Sequence, residues 1–238
     1  MRLHVTLVGA AVFLAVTLAR ADAPRVPPNV LMKPTFHLAD ESWSGGCAFV
    51  LRLARRPEAL LVTPHHLFGP AAGLEKQMSG KDIKRELLEV TGVSMQDGKT
   101  TLVASKYIDN PNARSMDRAG AERDLAVFVI DSGEGMRALE FARLAPRVGQ
   151  TVYMYARLRS ASAPRLFPAT VTQVEPSGLS YVFIGKSFDG RGTSGAPVLD
   201  ERGRVVGMNV GGSDESGHST GYANPATRMR ELITSSRK

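Results

Sequence analysis

Short apolar runs separated by glycine and proline recur along this chain and are typical of an all-β protein. The 238 residues include 23 glycines and 14 prolines, which fall between the apolar runs, where turns are expected. Because 43% of the residues are hydrophobic, the chain can bury one sizeable core, and all-β barrels of this length commonly count as one domain. We expect helix only in two segments, residues 80–90 and 226–236.

A candidate nucleophile lies in the segment 192–197, which reads Gly-Thr-Ser-Gly-Ala-Pro. The serine, Ser194, has a glycine two positions before it and another directly after it, as a nucleophile needs when the neighbouring amides must also bind an oxyanion. In the alternative interpretation, Ser194 is a turn residue whose glycines allow unusual backbone angles. The motif arises by chance in about one per cent of chains of this length at average composition, so it requires partners.

A candidate base follows a predicted strand. Residues 60–63 are a short apolar run of strand character. One proline follows the run, and His65 and His66 come directly after that proline. Adjacent side chains on an extended segment point in opposite directions, so only one of the two imidazoles can face Ser194.

A candidate carboxylate precedes a second apolar run. Asp124 directly precedes residues 125–130, which are uninterruptedly apolar and indicate a fully buried strand. Asp117 and Glu122 lie nearby, but only Asp124 abuts the run. A carboxylate at the start of a buried strand is expected to have a specific role. One such role is to orient a histidine and stabilise its imidazolium.

These candidates occur in the order His, Asp, Ser, and the segments around them resemble those of the chymotrypsin-fold (trypsin-like) serine peptidases. The order separates the chain from subtilisins and α/β-hydrolases. The segments that carry the resemblance are residues 62–66, 124–127, 192–197 and 203–207. Two further segments, residues 147–153 and 221–225, are similar to the bacterial high-temperature-requirement branch of this family.

The resemblance implies an all-β fold of two six-stranded antiparallel β-barrels with a short C-terminal helix. The trypsin-like serine protease domain would extend over residues 41–238, with the first barrel over about 41–140 and the second over about 141–238. Residues 22–40 would form an N-terminal arm.

The resemblance also implies an activity and the residues that perform it. The chain would be a serine endopeptidase in which Ser194 is the nucleophile, His66 rather than His65 is the base, and Asp124 orients that base. The backbone amides of Gly192 and Ser194 would form the oxyanion hole.

Substrate contacts follow from the same resemblance. Val210, Gly211 and Gly212 would pair with the backbone of an extended peptide, and Phe188 would lie at the base of the primary specificity pocket. A phenylalanine there favours small or medium apolar residues before the scissile bond. Asp189 or His218, if turned inward, would instead favour basic or acidic residues respectively, and Gly221 would lie near the back wall of the pocket.

Two departures from the family pattern limit what can be transferred. Thr193 stands where zymogen-activated relatives carry an aspartate, so we do not expect activation by a newly cut amino terminus. The residues that follow Pro225 are too few for the PDZ domain that the high-temperature-requirement enzymes usually carry.

The amino terminus predicts export. Arg2 precedes an apolar run over about residues 5–18, and residues 19–21 (Ala-Arg-Ala) form a signal-peptidase site, so residues 1–21 are expected to be a cleaved signal peptide. The alternative is a retained anchor, although the run is short for a membrane span. Cys47, the only cysteine, cannot form an intramolecular disulfide, which suits a bacterial periplasmic or secreted protein. Cys47 itself lies in a strand-like run and is interpreted as a small buried hydrophobic residue.

Charge and spacing exclude several other classes of function. The net charge of +7 is modest and could steer acidic substrates, but the basic residues do not alternate with aromatic ones as in single-strand nucleic-acid platforms. The His, Cys and acidic residues lack the spacing of zinc sites or EF-hands, so we expect no metal and no cofactor. The expected partners are protein or peptide substrates, without nucleic acid and without stable membrane insertion after signal cleavage.

Two alternatives to an active peptidase remain at this stage. A protease-fold binding or regulatory protein would keep the triad in a latent state. An esterase would use the same serine on a different acyl compound.

Overall fold

The computed structural model describes residues 23–54, 56–110, 112–117, 120–185, 187–215 and 217–235. The expected signal peptide, residues 1–21, lies outside the described residues.

The first barrel is built from antiparallel strands in the order β1-β3-β4-β7-β6-β5 and is closed by the pairing of β1 with β5, while the short β2 pairs with the outer part of β1. The strands are β1 (Leu31–His37), β2 (Ser42–Ser44), β3 (Ala48–Arg52), β4 (Ala59–Thr63), β5 (Glu89–Ser94), β6 (Thr101–Tyr107) and β7 (Ala126–Ser132). Helix α1 (Gly80–Glu86) and two 3-10 turns (His65–Phe68 and Pro70–Ala72) lie between β4 and β5.

The second barrel closes in the order β10-β13-β12-β11-β8-β9 and is followed by helix α2 (Ala226–Ser235). Its strands are β8 (Thr151–Ala156), β9 (Arg165–Glu175), β10 (Gly178–Phe183), β11 (Pro197–Leu199), β12 (Val205–Glu215) and β13 (His218–Pro225). The expected fold of two six-stranded antiparallel barrels with a short C-terminal helix is thereby confirmed.

The uninterrupted apolar runs of β3, β4 and β7 reflect burial on both faces of each strand. In β4, Leu61 packs inside the first barrel, whereas its neighbours Leu60 and Val62 pack in a core shared with the second barrel and α2. Phe128 and Val127 of β7 divide between the two cores in the same way. Alternating side chains of a strand point to opposite faces, so a strand that is covered on both sides has no polar positions.

The first barrel begins earlier than the expected boundary at residue 41. Strand β1, which falls within the expected N-terminal arm, pairs with β3 and β5 and closes the barrel. Its residues Leu31, Met32 and Phe36 are almost completely buried, so this segment is part of the core.

The helix expected over residues 80–90 ends earlier, at Glu86. It begins with a capping box in which the Ser79 hydroxyl accepts a hydrogen bond from the Asp82 amide and the Asp82 carboxylate accepts one from the Ser79 amide. Leu87 is already extended, and Val90 pairs with Phe36 of β1 and Ala104 of β6. The free energy of strand pairing outweighs the helical periodicity in the last turn. The C-terminal helix agrees with its expected span to within one residue.

None of the helices in the described segments is long and apolar enough to cross a membrane.

Candidate active site

His66 and Asp124 are brought together by the pairing of β4 with β7. Thr63, the last residue of β4, lies opposite Ala126, the first residue of β7. The chain that leaves β4 and the chain that enters β7 therefore meet at the same edge of the first barrel. His66 lies there in the 3-10 turn after β4, and Asp124 lies two residues before β7.

Asp124 holds His66 through two hydrogen bonds. The His66 ring nitrogen Nδ1 lies 2.7 Å from Asp124 Oδ2, and the His66 amide donates to Oδ1 at 2.8 Å. The Met116 amide adds a third hydrogen bond, to Oδ2 at 3.1 Å. Asp124 is completely buried, whereas the His66 side chain is 13% exposed. With Nδ1 bound to the carboxylate, the other ring nitrogen of His66, Nε2, remains for other partners.

His65 lies away from this pair. It is 1% exposed and stacks on Phe68 inside the first barrel, with ring centroids 6.4 Å apart. Burial lowers the pKa of His65, because the charged imidazolium is poorly solvated in the core. Its Nδ1 has no hydrogen-bond partner among the described residues. The structure thus directs one imidazole to the core and the other to the cleft between the barrels.

Ser194 lies opposite His66 on the loop before β11, and both residues line one depression. Their side chains are not hydrogen-bonded to each other in the described part of the chain, and such contacts are often long in enzymes without substrate and tighten on binding. The Ser194 carbonyl accepts a hydrogen bond of 2.6 Å from the Cys47 amide, and the Gly195 amide donates to Asn209 O at 2.7 Å. These backbone bonds attach the loop to both barrels.

The backbone of the Ser194 loop requires glycine at two positions. Gly192 and Gly195 have φ angles of +83° and +93°, in the region that favours glycine. A Cβ on Gly195 would also collide with the carbonyl oxygen of Cys47. The amides of Gly192 and Ser194 donate to no acceptor in the described structure, so both are available to a ligand.

A buried network of hydrogen-bonded polar side chains holds the Ser194 loop in place. The Tyr181 hydroxyl donates to Asn209 Oδ1 at 2.7 Å, and Asn209 Nδ2 donates to Thr193 Oγ1 at 3.1 Å. The Thr193 hydroxyl in turn donates to Gly190 O at 2.7 Å. Thr193 therefore fixes the loop through neutral hydrogen bonds. Sequence reasoning missed Tyr181 and Asn209, and its only signal was the threonine in place of aspartate at residue 193.

Replacement of Tyr181 by phenylalanine is expected to lower the free energy of unfolding by about 1–3 kcal/mol, because it leaves the buried Asn209 Oδ1 without its donor. For a chain of this size the melting temperature would fall by roughly 2–12 °C, measurable by calorimetry. The control is Tyr222→Phe, since Tyr222 is 40% exposed on the neighbouring strand β13. Equal melting temperatures for the two variants would contradict this role of Tyr181.

Cys47 lies behind the loop and is fully buried. Its thiol donates to the carbonyl oxygen of Gly192 at 3.4 Å, and burial raises its pKa to about 12. A thiol with this pKa stays protonated at neutral pH and is a poor nucleophile. Cys47 packs as the buried apolar residue that the sequence indicates.

A first depression, of about 760 Å³, extends from Ser194 along the second barrel. Phe188 lines it and packs against Phe167 and Phe183, with ring centroids 4.7 Å apart in both pairs. Asp189 is at the exposed rim, where Arg191 binds both carboxylate oxygens at 2.8–3.0 Å and lowers the pKa of Asp189 to about 2. The only carboxylate of the segment 187–191 is thus already paired.

One edge of β12 is free beside this depression. β12 pairs with β11 through residues 205–208, and the backbone of Asn209 exchanges two hydrogen bonds with residues 195–196. From Gly211 onward, the continuation of β12 pairs with β13 alone among the described strands. Gly211 and Gly212 lie on that continuation and line the depression. An unpaired strand edge of this kind can accept a further strand.

Three residues are candidates for contacts around the specificity pocket: Val210 through its backbone, Gly221 at the back wall, and His218 only if it turns inward. Val210 falls at the irregular register between Asn209 and Gly211, and its side chain is buried in the core between the barrels. Gly221 lies against the ring of Tyr181, where any Cβ would collide, and it does not line the depression. His218 is exposed at the start of β13, outside the lining residues. The pairing register of β12 with β13, which the sequence does not encode locally, fixes all three positions.

No group of three or more His, Cys, Asp or Glu side chains arranged to hold a metal ion is found within the described ranges.

Comparison with known proteins gives matches at the level of family and fold. A family model described as a trypsin-like peptidase domain matches residues 46–208. No curated protein sequence matches the chain. Among solved structures, the Rv3671c protease of M. tuberculosis in its active form is 16% identical with a TM-score of 0.55, covering 87% of this chain and 80% of that one.

Two further similar structures are longer proteins. The serine endoprotease from Yersinia pestis is 15% identical with a TM-score of 0.56, covering 88% of this chain and 65% of that one. The HtrA-type protease AlgW, solved with a decapeptide, is 17% identical with a TM-score of 0.57, covering 89% of this chain and 65% of that one. At these identities the likeness concerns the fold.

Proposed function

We propose that this chain, which belongs to the trypsin-like peptidase family and is a serine endopeptidase, uses Ser194, His66 and Asp124 as its catalytic residues. Cleavage of the peptide bond would pass through an acyl-enzyme intermediate on Ser194. The observation that carries this proposal is the pair of hydrogen bonds by which the buried Asp124 holds His66 in the depression that Ser194 also lines.

Acylation begins with attack of the Ser194 oxygen on the carbonyl carbon of the peptide bond. His66 Nε2 accepts the serine proton while the new C–O bond forms, and the negative charge moves to the carbonyl oxygen. Asp124 remains ionised and stabilises the imidazolium through its 2.7 Å contact with Nδ1. The imidazolium then gives its proton to the leaving nitrogen as the C–N bond breaks.

Deacylation repeats the sequence with water as the nucleophile. His66 accepts a proton from the water while the oxygen attacks the ester carbon, and then returns it to the Ser194 oxygen as the ester bond breaks. In both steps the amides of Gly192 and Ser194 donate to the oxyanion, a contribution of about 3 kcal/mol per donor in comparable sites. Neither amide donates to an acceptor among the residues that the structure describes, and this, with the positive φ of Gly192, supports the role.

The substrate residues before the scissile bond bind along the first depression. The backbone pairs with the free edge of β12 at Gly211 and Gly212, and Val210 contributes through its backbone only, since its side chain is in the core. Phe183 and Phe188 give the adjoining surface an aromatic character that suits a small or medium apolar side chain. The pairing of Asp189 with Arg191 reduces its attraction for a basic residue.

We further propose that the protein is exported, to the periplasm or the exterior of a bacterium, after cleavage of residues 1–21. Arg2, the apolar run and the Ala-Arg-Ala site support this location. The free, buried Cys47 is compatible with it, because no disulfide is needed for the fold.

Asp124→Asn tests the proposal with little change in shape. Incubation of the purified protein with an unfolded polypeptide, followed by mass spectrometry, is expected to give fragments cut at internal bonds. The variant is expected to cut about 10⁴-fold more slowly, because a neutral amide stabilises neither the imidazolium nor the required tautomer. Asp131→Asn, at the exposed far end of β7, is the control and should act like the wild type.

Internal cleavage by Asp124→Asn at the wild-type rate would contradict the triad. Turnover of simple esters without any peptide cleavage would instead indicate an esterase.

A further inference from the structure

A second depression, of about 400 Å³, lies on the other side of Ser194 and Gly192 from the first. His66 and Gly46 of the first barrel contribute one part of its lining, and Arg157 and Arg159, just after β8, contribute another. We propose that this second depression binds a carboxylate carried by the part of the substrate that follows the scissile bond. The proposal rests on the proposed function, which defines the direction of the substrate.

The direction in which the substrate chain crosses the site follows from the residues that the two depressions share. Residues before the scissile bond occupy the first depression, beside Phe188 and the free edge of β12. The residues that line both depressions are Ala71, Arg159, Arg191, Gly192 and Ser194. The substrate chain therefore passes over Ser194 from one depression into the other, with Arg159 at the junction. The second depression therefore receives the leaving group.

The lining of the second depression is positively charged. Among the described residues, its ionisable side chains besides His66 are Lys33, Arg157, Arg159 and Arg191, and none of the described lining residues is an aspartate or a glutamate. Arg191 is neutralised by its bidentate pair with Asp189. The other three cations form no ion pair with a carboxylate in the described part of the chain.

The three unpaired cations lie close together. Lys33, on β1, is partly buried, and its pKa is lowered by burial and by the neighbouring charges of Arg157 and Arg159. Arg157 Nη1 lies 3.5 Å from the carbonyl oxygen of Met95. Like charges that converge in a partly buried cleft repel one another, and an anion placed between them removes this repulsion.

Of the three cations, Arg159 is the one that the structure places beside Gly192 of the proposed reaction centre. Its Nε lies 3.6 Å from the position that a Cβ on Gly192 would take, next to the proposed oxyanion hole. A carboxylate held by Arg157 and Arg159 would thus lie within one or two residues of the scissile bond. Arginine is suited to this contact because its planar guanidinium can bind both oxygens of a carboxylate.

A carboxylate after the scissile bond has two possible sources: the side chain of an acidic residue, or the free C-terminus of a short leaving peptide. Two pairs of fluorescent peptides separate them, all with leucine before the bond. One pair has Glu or Gln at the second position after the bond, inside a longer amidated chain. The other pair ends at that position, as a free acid or as an amide.

Equilibrium binding to Ser194→Ala measures the preference without turnover. The carboxylate member of at least one pair is expected to bind about tenfold more tightly than its neutral partner, and the pair that responds identifies the source. The difference should nearly disappear when ionic strength rises from about 0.01 M to about 1 M, which shortens the screening length from about 30 Å to about 3 Å. Equal affinities within both pairs at low salt would overturn the inference.

Variants locate the effect in the second depression. In the Ser194→Ala background, Arg157→Gln and Arg159→Gln should each remove most of the preference. The control is Arg147→Gln, because Arg147 is exposed and precedes the N-terminal end of β8, whereas Arg157 and Arg159 follow its C-terminal end. This variant should leave the preference unchanged. A preference that survives both cleft substitutions would also overturn the inference.

Failure of the carboxylate site and failure of the proposed function give different results. Selective binding without cleavage by the wild type would reject the catalytic proposal alone. Cleavage without selectivity would reject only the carboxylate site.

Discussion

Peptide hydrolysis by the Ser194→Ala variant is expected to fall about a million-fold, to a rate near the limit of detection. Without the hydroxyl there is no oxygen to form the acyl-enzyme, and His66 has no serine proton to accept. The fold should not change, because the interactions that attach the loop involve the backbone of residues 194 and 195 and the Tyr181 network. Initial rates with a quenched fluorescent peptide, together with circular dichroism of the same samples, measure both effects.

Ser132→Ala is the control for this substitution. Ser132 is the last residue of β7, where it is exposed, and it lines neither depression. Its variant should hydrolyse the peptide like the wild type. Hydrolysis by Ser194→Ala at more than a small fraction of the wild-type rate would reject Ser194 as the nucleophile.

The second large effect is expected for His66→Ala, which should also lower kcat by about six orders of magnitude. The loss arises because the serine proton then has no acceptor, and because the leaving nitrogen has no proton donor. His65→Ala provides the comparison in the same turn of the chain. It should lower the melting temperature, since His65 packs on Phe68 in the core, but leave kcat per folded molecule near the wild-type value.

The two histidine variants are compared by peptide kinetics normalised to the folded fraction in thermal melts. Loss of activity in His65→Ala with retention in His66→Ala would move the base by one residue. Loss in both at equal folded fraction would show that the neighbouring imidazole is also needed.

The all-β class could be predicted from the short apolar runs and the turn residues between them, whereas the two six-stranded barrels were expected only from the resemblance to trypsin-like peptidases. The apolar runs in β4 and β7 are uninterrupted since each strand separates two cores, and Asp124 stood out as the carboxylate adjoining one of them. The order His, Asp, Ser, together with the resemblance of the surrounding segments, then predicts His66, Asp124 and Ser194 as the candidate site. These signals are local in sequence, so no knowledge of distant pairing was required.

The missed features depend on pairings between distant segments. β1 becomes part of the first barrel through β5, more than fifty residues later, and the same pairing ends α1 before Val90. Tyr181 reaches Asn209 across 28 residues. Val210 turns to the core because the register of β12 shifts beside it.

The positively charged lining of the second depression could not be predicted from the sequence for the same reason. Lys33 lies on β1, whereas Arg157 and Arg159 follow β8, so no window of sequence contains all three. Taken singly, each is an ordinary basic residue, and the sequence suggested only a modest positive surface. Their convergence depends on how the two barrels meet at the catalytic cleft.

The proposed mechanism requires Ser194 to be an activated nucleophile beside a working oxyanion hole. Intact-mass analysis after exposure to a fluorophosphonate measures this directly, because the probe reacts with activated serines and needs no knowledge of the substrate. We predict a single phosphonyl adduct on the wild type and none on Ser194→Ala. The absence of an adduct on well-folded wild-type protein, or an equal adduct on the variant, would rule out Ser194 as the activated nucleophile.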